Sequence, residues 1–110
     1  MEIRIYKTKD GKQPFIKWYD DLKDQSYQLR IRKRLRQTTF DNFGDSKSVG
    51  DGVYELRFFF GKGYRIYYAK ESNVIVLLLC GGDKSTQQKD INQAKIYWQD
   101  GSSGLTLKNV

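Results

Sequence analysis

The sequence predicts an α+β domain in which a small, largely antiparallel sheet forms from the element order β-α-α-β-β-β-α. Apolar residues alternate or run continuously through residues 53–80, as they do in strands, and recur at helical spacing in residues 14–40 and 87–99. The chain has 110 residues, of which 38% are hydrophobic, so it is long enough to bury one core. We therefore expect a single domain over residues 1–110, with residues 100–110 as a flexible tail.

The N-terminal strand and helix follow from local patterns. Ile3 and Ile5 alternate with charged neighbours, which predicts a short strand that ends before the turn signal Asp10-Gly11. Pro14 suits the first turn of a helix, where its missing N–H leaves no hydrogen bond unmade. The apolar face of this helix comprises Phe15, Trp18, Tyr19 and Leu22.

The second predicted helix, over residues 26–40, has a strongly basic outer face. Its apolar stripe comprises Tyr27, Ile31, Leu35 and Thr38, and its basic residues are Arg30, Arg32, Lys33, Arg34 and Arg36. No acidic residue lies between Tyr27 and Phe40, so these positive charges repel one another. The basic face is either simply solvated or lies along a phosphate backbone, with Arg32 and Arg36 as candidate contacts.

The C-terminal half is predicted to contain three strands and a helix. Residues 41–52 are rich in glycine and small polar residues and are predicted to be a loop. Strands are expected at residues 53–60, 64–69 and 74–80, with turns between them at residues 61–63 and 71–73. Asp83 or Ser85 caps a last helix that runs to about Gln99. We expect the two N-terminal helices on one sheet face, which leaves the other face half open for a binding site.

Composition excludes several kinds of catalytic site. The chain has no histidine and one cysteine, so the usual zinc sites, the Ser-His-Asp triad and the Cys-His dyad are excluded, and we expect neither metal nor cofactor. Cys80 closes an apolar strand and is predicted to be a buried structural thiol. The net charge of +7 favours a polyanionic partner. No apolar run approaches the ~20 residues that span a bilayer, so we expect a cytoplasmic protein without a membrane partner.

Two arginines are predicted to lie opposite the main core. Arg57 and Arg65 fall on adjacent strands, with Glu55 and Tyr67 on the same sheet face and Lys62 in the turn between them. An arginine pair can clamp a phosphate, and neighbouring aromatic rings can stack on unpaired bases. Alternatively, Glu55, Arg57 and Arg65 form a cross-strand ladder of salt bridges on a solvated face.

The turn after the last strand adds one more basic residue. Gly81-Gly82-Asp83-Lys84 lacks the glycine and lysine spacing of a P-loop, so nucleotide binding is not predicted. The glycines instead allow a tight exit from the strand. Lys84 is expected to emerge at the edge of the sheet, beside the arginines.

These segments carry a family likeness. The sequences ELRF, GYRIYY, GGDKS and DINQA, in their order along residues 2–98, resemble the phage-derived, HigB-like branch of the RelE/ParE toxin superfamily. The resemblance implies a RelE-like fold and a toxin of a type II toxin–antitoxin pair. RelE-like members cut mRNA in the ribosomal A site, whereas ParE-like members poison DNA gyrase without being nucleases.

The resemblance also implies roles for particular residues. Arg57 and Arg65 match the sheet arginines of the family and Lys84 matches its lysine after the last strand, so all three are expected to be catalytic. Substrate contacts are expected from Lys62, Tyr67, Glu55, Arg32 and Arg36. In the absence of histidine, the candidate general bases are Lys84, Tyr67 and Glu55.

The resemblance predicts an mRNA endonuclease that inhibits translation. Its expected partners are the ribosome with its mRNA and a cognate antitoxin, a helix-turn-helix protein encoded by a neighbouring gene. The alternatives are a ParE-like gyrase inhibitor and a basic RNA-binding remnant of phage origin.

Overall fold

The structure is a computed structural model that describes residues 1–100. The expected tail over residues 100–110 therefore lies outside the described residues from residue 101 onward. The elements are β1 (Glu2–Ile5), α1 (Pro14–Asp20), α2 (Gln25–Thr38), β2 (Ser46–Gly50), β3 (Val53–Arg57), β4 (Arg65–Glu71), β5 (Ile75–Gly82), a 3₁₀ turn (Lys84–Thr86) and α3 (Gln87–Asp100). Within this range no helix combines the length and the apolar content needed to cross a membrane.

The strands form one mixed sheet in the order β1-β5-β4-β3-β2. β1 runs parallel to β5, and the other neighbouring strands are antiparallel, so the sheet is largely antiparallel as predicted. The register places Arg57 opposite Arg65 and Glu55 opposite Tyr67. Arg65 in turn lies opposite Gly82. The end of the β3–β4 hairpin is therefore adjacent to the end of β5.

The predicted element order lacked a strand, because part of the expected loop over residues 41–52 is β2. β2 pairs with β3, with Ser46 opposite Leu56 and Ser48 opposite Tyr54. Asp51 and Gly52 both have positive φ angles, of 55° and 82°, which is the backbone of a tight hairpin turn. A second difference is the 3₁₀ turn that precedes α3, where one continuous helix was expected.

The first face of the sheet carries the larger core. Phe15 of α1 and Ile31 of α2 are buried in one cluster with Leu56, Ile66 and Leu78 of the sheet. Both N-terminal helices therefore contribute to the core on this face. The helical spacing predicted these contacts, since each helix turns its apolar stripe toward the strands.

The second face is covered by α3, and the prediction that it is half open is wrong where α3 lies. Ala94 of α3 is buried against a cluster that includes Tyr67 and Leu79. Glu55 and Tyr67 consequently have no exposed surface. Cys80 is buried in the same cluster, as predicted, and burial raises the pKa of its thiol.

Gly81 allows α1 to approach the end of β5. A Cβ atom at this position would lie 2.3 Å from the ring of Trp18. We expect Gly81→Ala to lower the free energy of unfolding by about 1–3 kcal/mol, since overpacking forces the indole out of place. Urea denaturation followed by circular dichroism measures this. An unchanged midpoint would show that Trp18 moves at no cost.

Candidate functional site

Four basic residues gather where the β3–β4 hairpin meets the end of β5. Arg57 and Arg65 are cross-strand partners. The backbone N–H of Lys84 donates to the carbonyl oxygen of Lys62 over 3.3 Å, which holds the hairpin turn against the 3₁₀ turn. Arg57, Lys62, Arg65 and Lys84 form what we call the basic cluster. The structure thus brings together the arginines and lysines that were predicted for the site.

Two turns set the positions of the lysines. Gly63, with a φ of 72°, lies so close to Lys84 that an added Cβ would be 3.4 Å from the Cβ of that residue. On the other side, the carboxylate of Asp83 accepts a hydrogen bond from the backbone N–H of Ser85 and caps the 3₁₀ turn. Hydrogen bonding to Ser85 lowers the pKa of Asp83. Lys62 and Lys84 are both exposed, so their ammonium groups are accessible from solvent.

A buried carboxylate lies behind Arg65. Glu55 Oε2 accepts hydrogen bonds from the Tyr67 hydroxyl at 3.0 Å and from Gln87 Nε2 at 2.9 Å. Arg65 Nε lies 3.5 Å from the same oxygen, which makes a buried ion pair. Among residues 1–100, Arg65 Nε and Glu55 Oε1 have no hydrogen-bond partner. The two charges therefore compensate each other largely by attraction rather than by a hydrogen bond.

This burial changes the interpretation of Glu55 and Tyr67. Neither has surface for a ligand to touch, because α3 covers both. Burial and the charge of Glu55 raise the pKa of Tyr67, so its hydroxyl keeps its proton at neutral pH. Glu55 contacts Arg65 on the buried side of the sheet, and Tyr67 donates a hydrogen bond to Glu55. Of the three candidate bases, Lys84 alone is exposed.

The alternative interpretation, a ladder of salt bridges on a solvated face, holds only for the cross-strand pair of Glu55 with Arg65, and that pair is buried. Arg65 pairs with a carboxylate that has no exposed surface, and its own side chain is only 11% exposed. Arg57 pairs instead with Asp45, with Nη2 3.1 Å from Oδ1. Asp45 precedes β2, the strand that the sequence analysis took for a loop, so this partner was missed.

Arg65 is further held by its own hairpin. Its Nη1 donates to the carbonyl oxygen of Gly63 over 2.8 Å. Together with Glu55, this contact fixes the guanidinium in one orientation. By contrast, no salt bridge joins Lys62 or Lys84 to any residue in the described part of the chain. The basic cluster therefore combines a preorganised arginine with exposed, unbridged lysines.

Arg34 does not belong to the exposed face of α2 to which its helical position assigned it. Its guanidinium donates to the carbonyl oxygens of Phe43, Asp45 and Arg57, at 3.1, 2.9 and 2.9 Å. Burial lowers the pKa of Arg34. The side chain ties α2 to the segment before β2 and to the end of β3. It supports the basic cluster from the opposite sheet face.

Arg32 and Arg36 are exposed but lie apart from the basic cluster. They line an open groove between β1, α1 and α2 whose apolar wall includes Ile3, Phe15 and Leu35. This groove lies on the first sheet face, whereas Arg57 and Arg65 project from the second. The structure therefore does not bring these two predicted contacts together with the other site residues.

An exposed aromatic residue that was not among the predicted site residues lies beside the basic cluster. Phe59 is 84% exposed, and the Arg57 guanidinium lies 6.0 Å from the centre of its ring. Alternation along residues 53–60 already placed Phe59 away from the main core. Within residues 1–100, no group of three or more Cys, Asp or Glu side chains is arranged to hold a metal ion.

Comparisons with known proteins place the chain in a family. Residues 17–98 match the family described as phage-derived protein Gp49-like (DUF891). The chain is 50% identical over 86 residues to a Haemophilus influenzae protein that bears the name "uncharacterized protein", an alignment that covers 78% of this chain and 87% of that relative. No solved structure matches the chain. Because the family match spans well over half of its length, the chain belongs to the Gp49-like family of phage-derived proteins.

Proposed function

We propose that this chain is the toxin of a type II toxin–antitoxin pair and cuts mRNA on the ribosome. The observation that carries the proposal is the basic cluster, in which a preorganised arginine and two exposed lysines lie within one corner of the sheet. The likeness of ELRF, GYRIYY and GGDKS to HigB-like toxins supports the same function. The phage-derived character of the family agrees with a mobile toxin gene.

RNA cleavage without a metal has three chemical requirements. The 2′-hydroxyl must lose its proton as its oxygen attacks the adjacent phosphorus, negative charge on the phosphate must be stabilised, and the departing 5′-oxygen must gain a proton. The basic cluster meets the second requirement. In this proposal the cross-strand partners Arg65 and Arg57 donate to phosphate oxygens, and Lys62 adds positive charge from the turn.

Proton transfer falls to the remaining exposed group. Since Glu55 and Tyr67 are buried, Lys84 in its neutral amine form is assigned to take up the proton of the 2′-hydroxyl. Solvent water gives the departing 5′-oxygen the proton that it needs. No second acid–base residue from the original candidates reaches the surface beside it. A site that is strong in electrostatics and poor in acid–base groups depends on precise alignment of its substrate, which the ribosome supplies by holding mRNA in the A site.

The basic face of α2 has a separate role in this proposal. Arg32 and Arg36 lie on the first sheet face, away from the cluster, and are exposed. They are assigned to ribosomal RNA, whose backbone attracts such a surface in a salt-dependent way. The cognate antitoxin, a helix-turn-helix protein from the adjacent gene, is the partner that silences the toxin.

We expect Arg57→Ala to cut mRNA about 100-fold more slowly, by analogy with the loss of one preorganised donor to a developing negative charge. Lys84→Ala is expected to lose activity as well, because the candidate base is removed. Toeprinting on purified ribosomes reports the new 5′ ends of cleaved mRNA. The matched control is Lys12→Ala, which removes an exposed lysine from the loop before α1 and should cleave at the wild-type rate.

Two results would contradict the proposal. Arrest of DNA replication with intact mRNA would favour a gyrase inhibitor of ParE type. RNA binding without growth arrest or cleavage would favour a non-enzymatic phage remnant. Equal cleavage by wild type, Arg57→Ala and Lys84→Ala would instead remove the basic cluster from the mechanism.

A further inference from the structure

Phe59 is the most exposed large hydrophobic residue of the described chain, at 84%. It lies in the segment that joins β3 to β4, between two phenylalanines that turn inward. Phe58 is buried in the main core, and the ring of Phe60 packs against Tyr27 with the ring centres 4.9 Å apart. The segment is therefore anchored on both sides of an aromatic ring that faces solvent.

The basic cluster begins next to this ring. The Arg57 guanidinium lies 6.0 Å from the ring centre of Phe59, and Asp45 fixes that guanidinium through a contact of 3.1 Å. Arg65 lies across the hairpin from Arg57. A flat apolar surface and a row of basic side chains thus share one corner of the molecule.

We propose that Phe59 stacks on an unpaired base of the RNA strand whose phosphates contact the basic cluster. The inference rests on the proposed function, because it takes single-stranded RNA as the ligand. Aromatic stacking suits such a strand, since every base has a π face and an unpaired base leaves that face free. Phe59 thereby adds a base-binding position to a site that otherwise contacts only phosphates.

The surroundings of Phe59 favour a base over a protein partner. A stable protein interface buries about 800 Å² on each side, around several apolar anchors. Here Phe58 and Phe60 are turned into the protein, so a single ring projects beside the Arg57 guanidinium. One ring beside cations matches the way in which a nucleotide presents a base next to its phosphate.

The test uses a short single-stranded RNA with 2-aminopurine at one position, whose fluorescence falls when the base stacks. Wild type is expected to quench it on binding, and Phe59→Ala is expected to bind about tenfold more weakly with less quenching. Phe59→Trp should retain both signals, whereas Phe59→Leu should not. Phe40→Ala is the matched control, since Phe40 is 80% exposed but follows α2 rather than β3.

An abasic version of the same RNA completes the design. Wild type should bind it as weakly as Phe59→Ala does, and Phe59→Ala should not distinguish the two RNAs. Equal binding of both RNAs by wild type, or no binding of either, would overturn the stacking assignment. Preference for a DNA strand over RNA would overturn the assignment to RNA. Stacking without cleavage of mRNA on ribosomes would support the stacking inference and contradict the proposed nuclease activity. A failure of the inference can therefore be distinguished from a failure of the proposed function.

Discussion

Replacing Arg65 with alanine is expected to lower the free energy of unfolding by about 3–5 kcal/mol, because it leaves the buried carboxylate of Glu55 without its counter-charge. Glu55 has no exposed surface, and Arg65 Nε lies 3.5 Å from its Oε2. The hydrogen bonds from Tyr67 and Gln87 stay in place but carry no full positive charge. Urea denaturation of the purified variant measures the loss.

Two comparisons isolate the ion pair. In Arg57→Ala, the lost pair with Asp45 is about one-third exposed, and the expected cost is at most about 1 kcal/mol. The double variant Arg65→Ala with Glu55→Gln should recover part of the loss, since it removes the unpaired charge. A loss below 1 kcal/mol for Arg65→Ala would contradict the burial of this pair.

The expected loss of stability in Arg65→Ala also affects how the proposed toxicity is tested. An Arg65→Ala protein that fails to arrest growth has two explanations, since both its stability and its proposed phosphate contact are lost. Arg57 and Lys84 give cleaner tests, because their side chains are not paired with a buried charge. Arg65→Lys keeps the positive charge beside Glu55 while removing the guanidinium, so a folded but inactive Arg65→Lys would locate the defect in catalysis.

Arg34→Ala is expected to destabilise the protein by about 2–4 kcal/mol, because partly buried carbonyl groups lose their donors. The guanidinium bonds to the carbonyl oxygens of Phe43 and Asp45 before β2 and of Arg57 at the end of β3. Lysine at this position cannot reach all of them from one ammonium group, so Arg34→Lys should recover little. Thermal denaturation at several salt concentrations measures the change.

Lys33→Ala is the control for Arg34→Ala. It removes a positive charge from the adjacent, exposed position of α2 and should change stability by less than about 0.5 kcal/mol. If both variants had the same small effect, the bonds of Arg34 to the three carbonyls would be contributing nothing. A strong salt dependence for Arg34→Ala alone would point to lost charge rather than lost hydrogen bonds.

Alternation along the strands predicted the part of the fold that holds the site. Because side chains of a strand alternate between faces, Arg57 and Arg65 could be placed on the same face of adjacent strands. The structure confirms this, and its register makes the two arginines direct cross-strand partners. β2 was missed for a different reason. Ser46, Ser48 and Gly50 have little preference for strands, and backbone pairing with β3 stabilises this edge strand without leaving an apolar pattern.

The surroundings of the site could not be predicted in the same way. Alternation assigns Glu55 to a face but does not say that α3 covers that face, which depends on contacts between distant segments. Helical spacing likewise placed Arg34 among the other basic residues of α2. Its direction is determined by carbonyl groups at residues 43, 45 and 57, which the sequence of α2 does not reveal. Local sequence patterns predicted the face of a strand or helix on which each residue lies. Tertiary packing determines which of these residues are buried.

The parallel pairing of β1 with β5 has a consequence for synthesis. Ile3 pairs with Val76, so β1 finds its neighbour in the sheet only after β2, β3, β4 and β5 have been made. The apolar faces of α1 and α2 also pack on strands that are translated after them. Contacts so distant along the chain form slowly, and those that involve β5 cannot form while this strand is still inside the exit tunnel. A nascent chain therefore completes this core only after β5 has left the ribosome, and a product truncated before β5 lacks the strand that completes it.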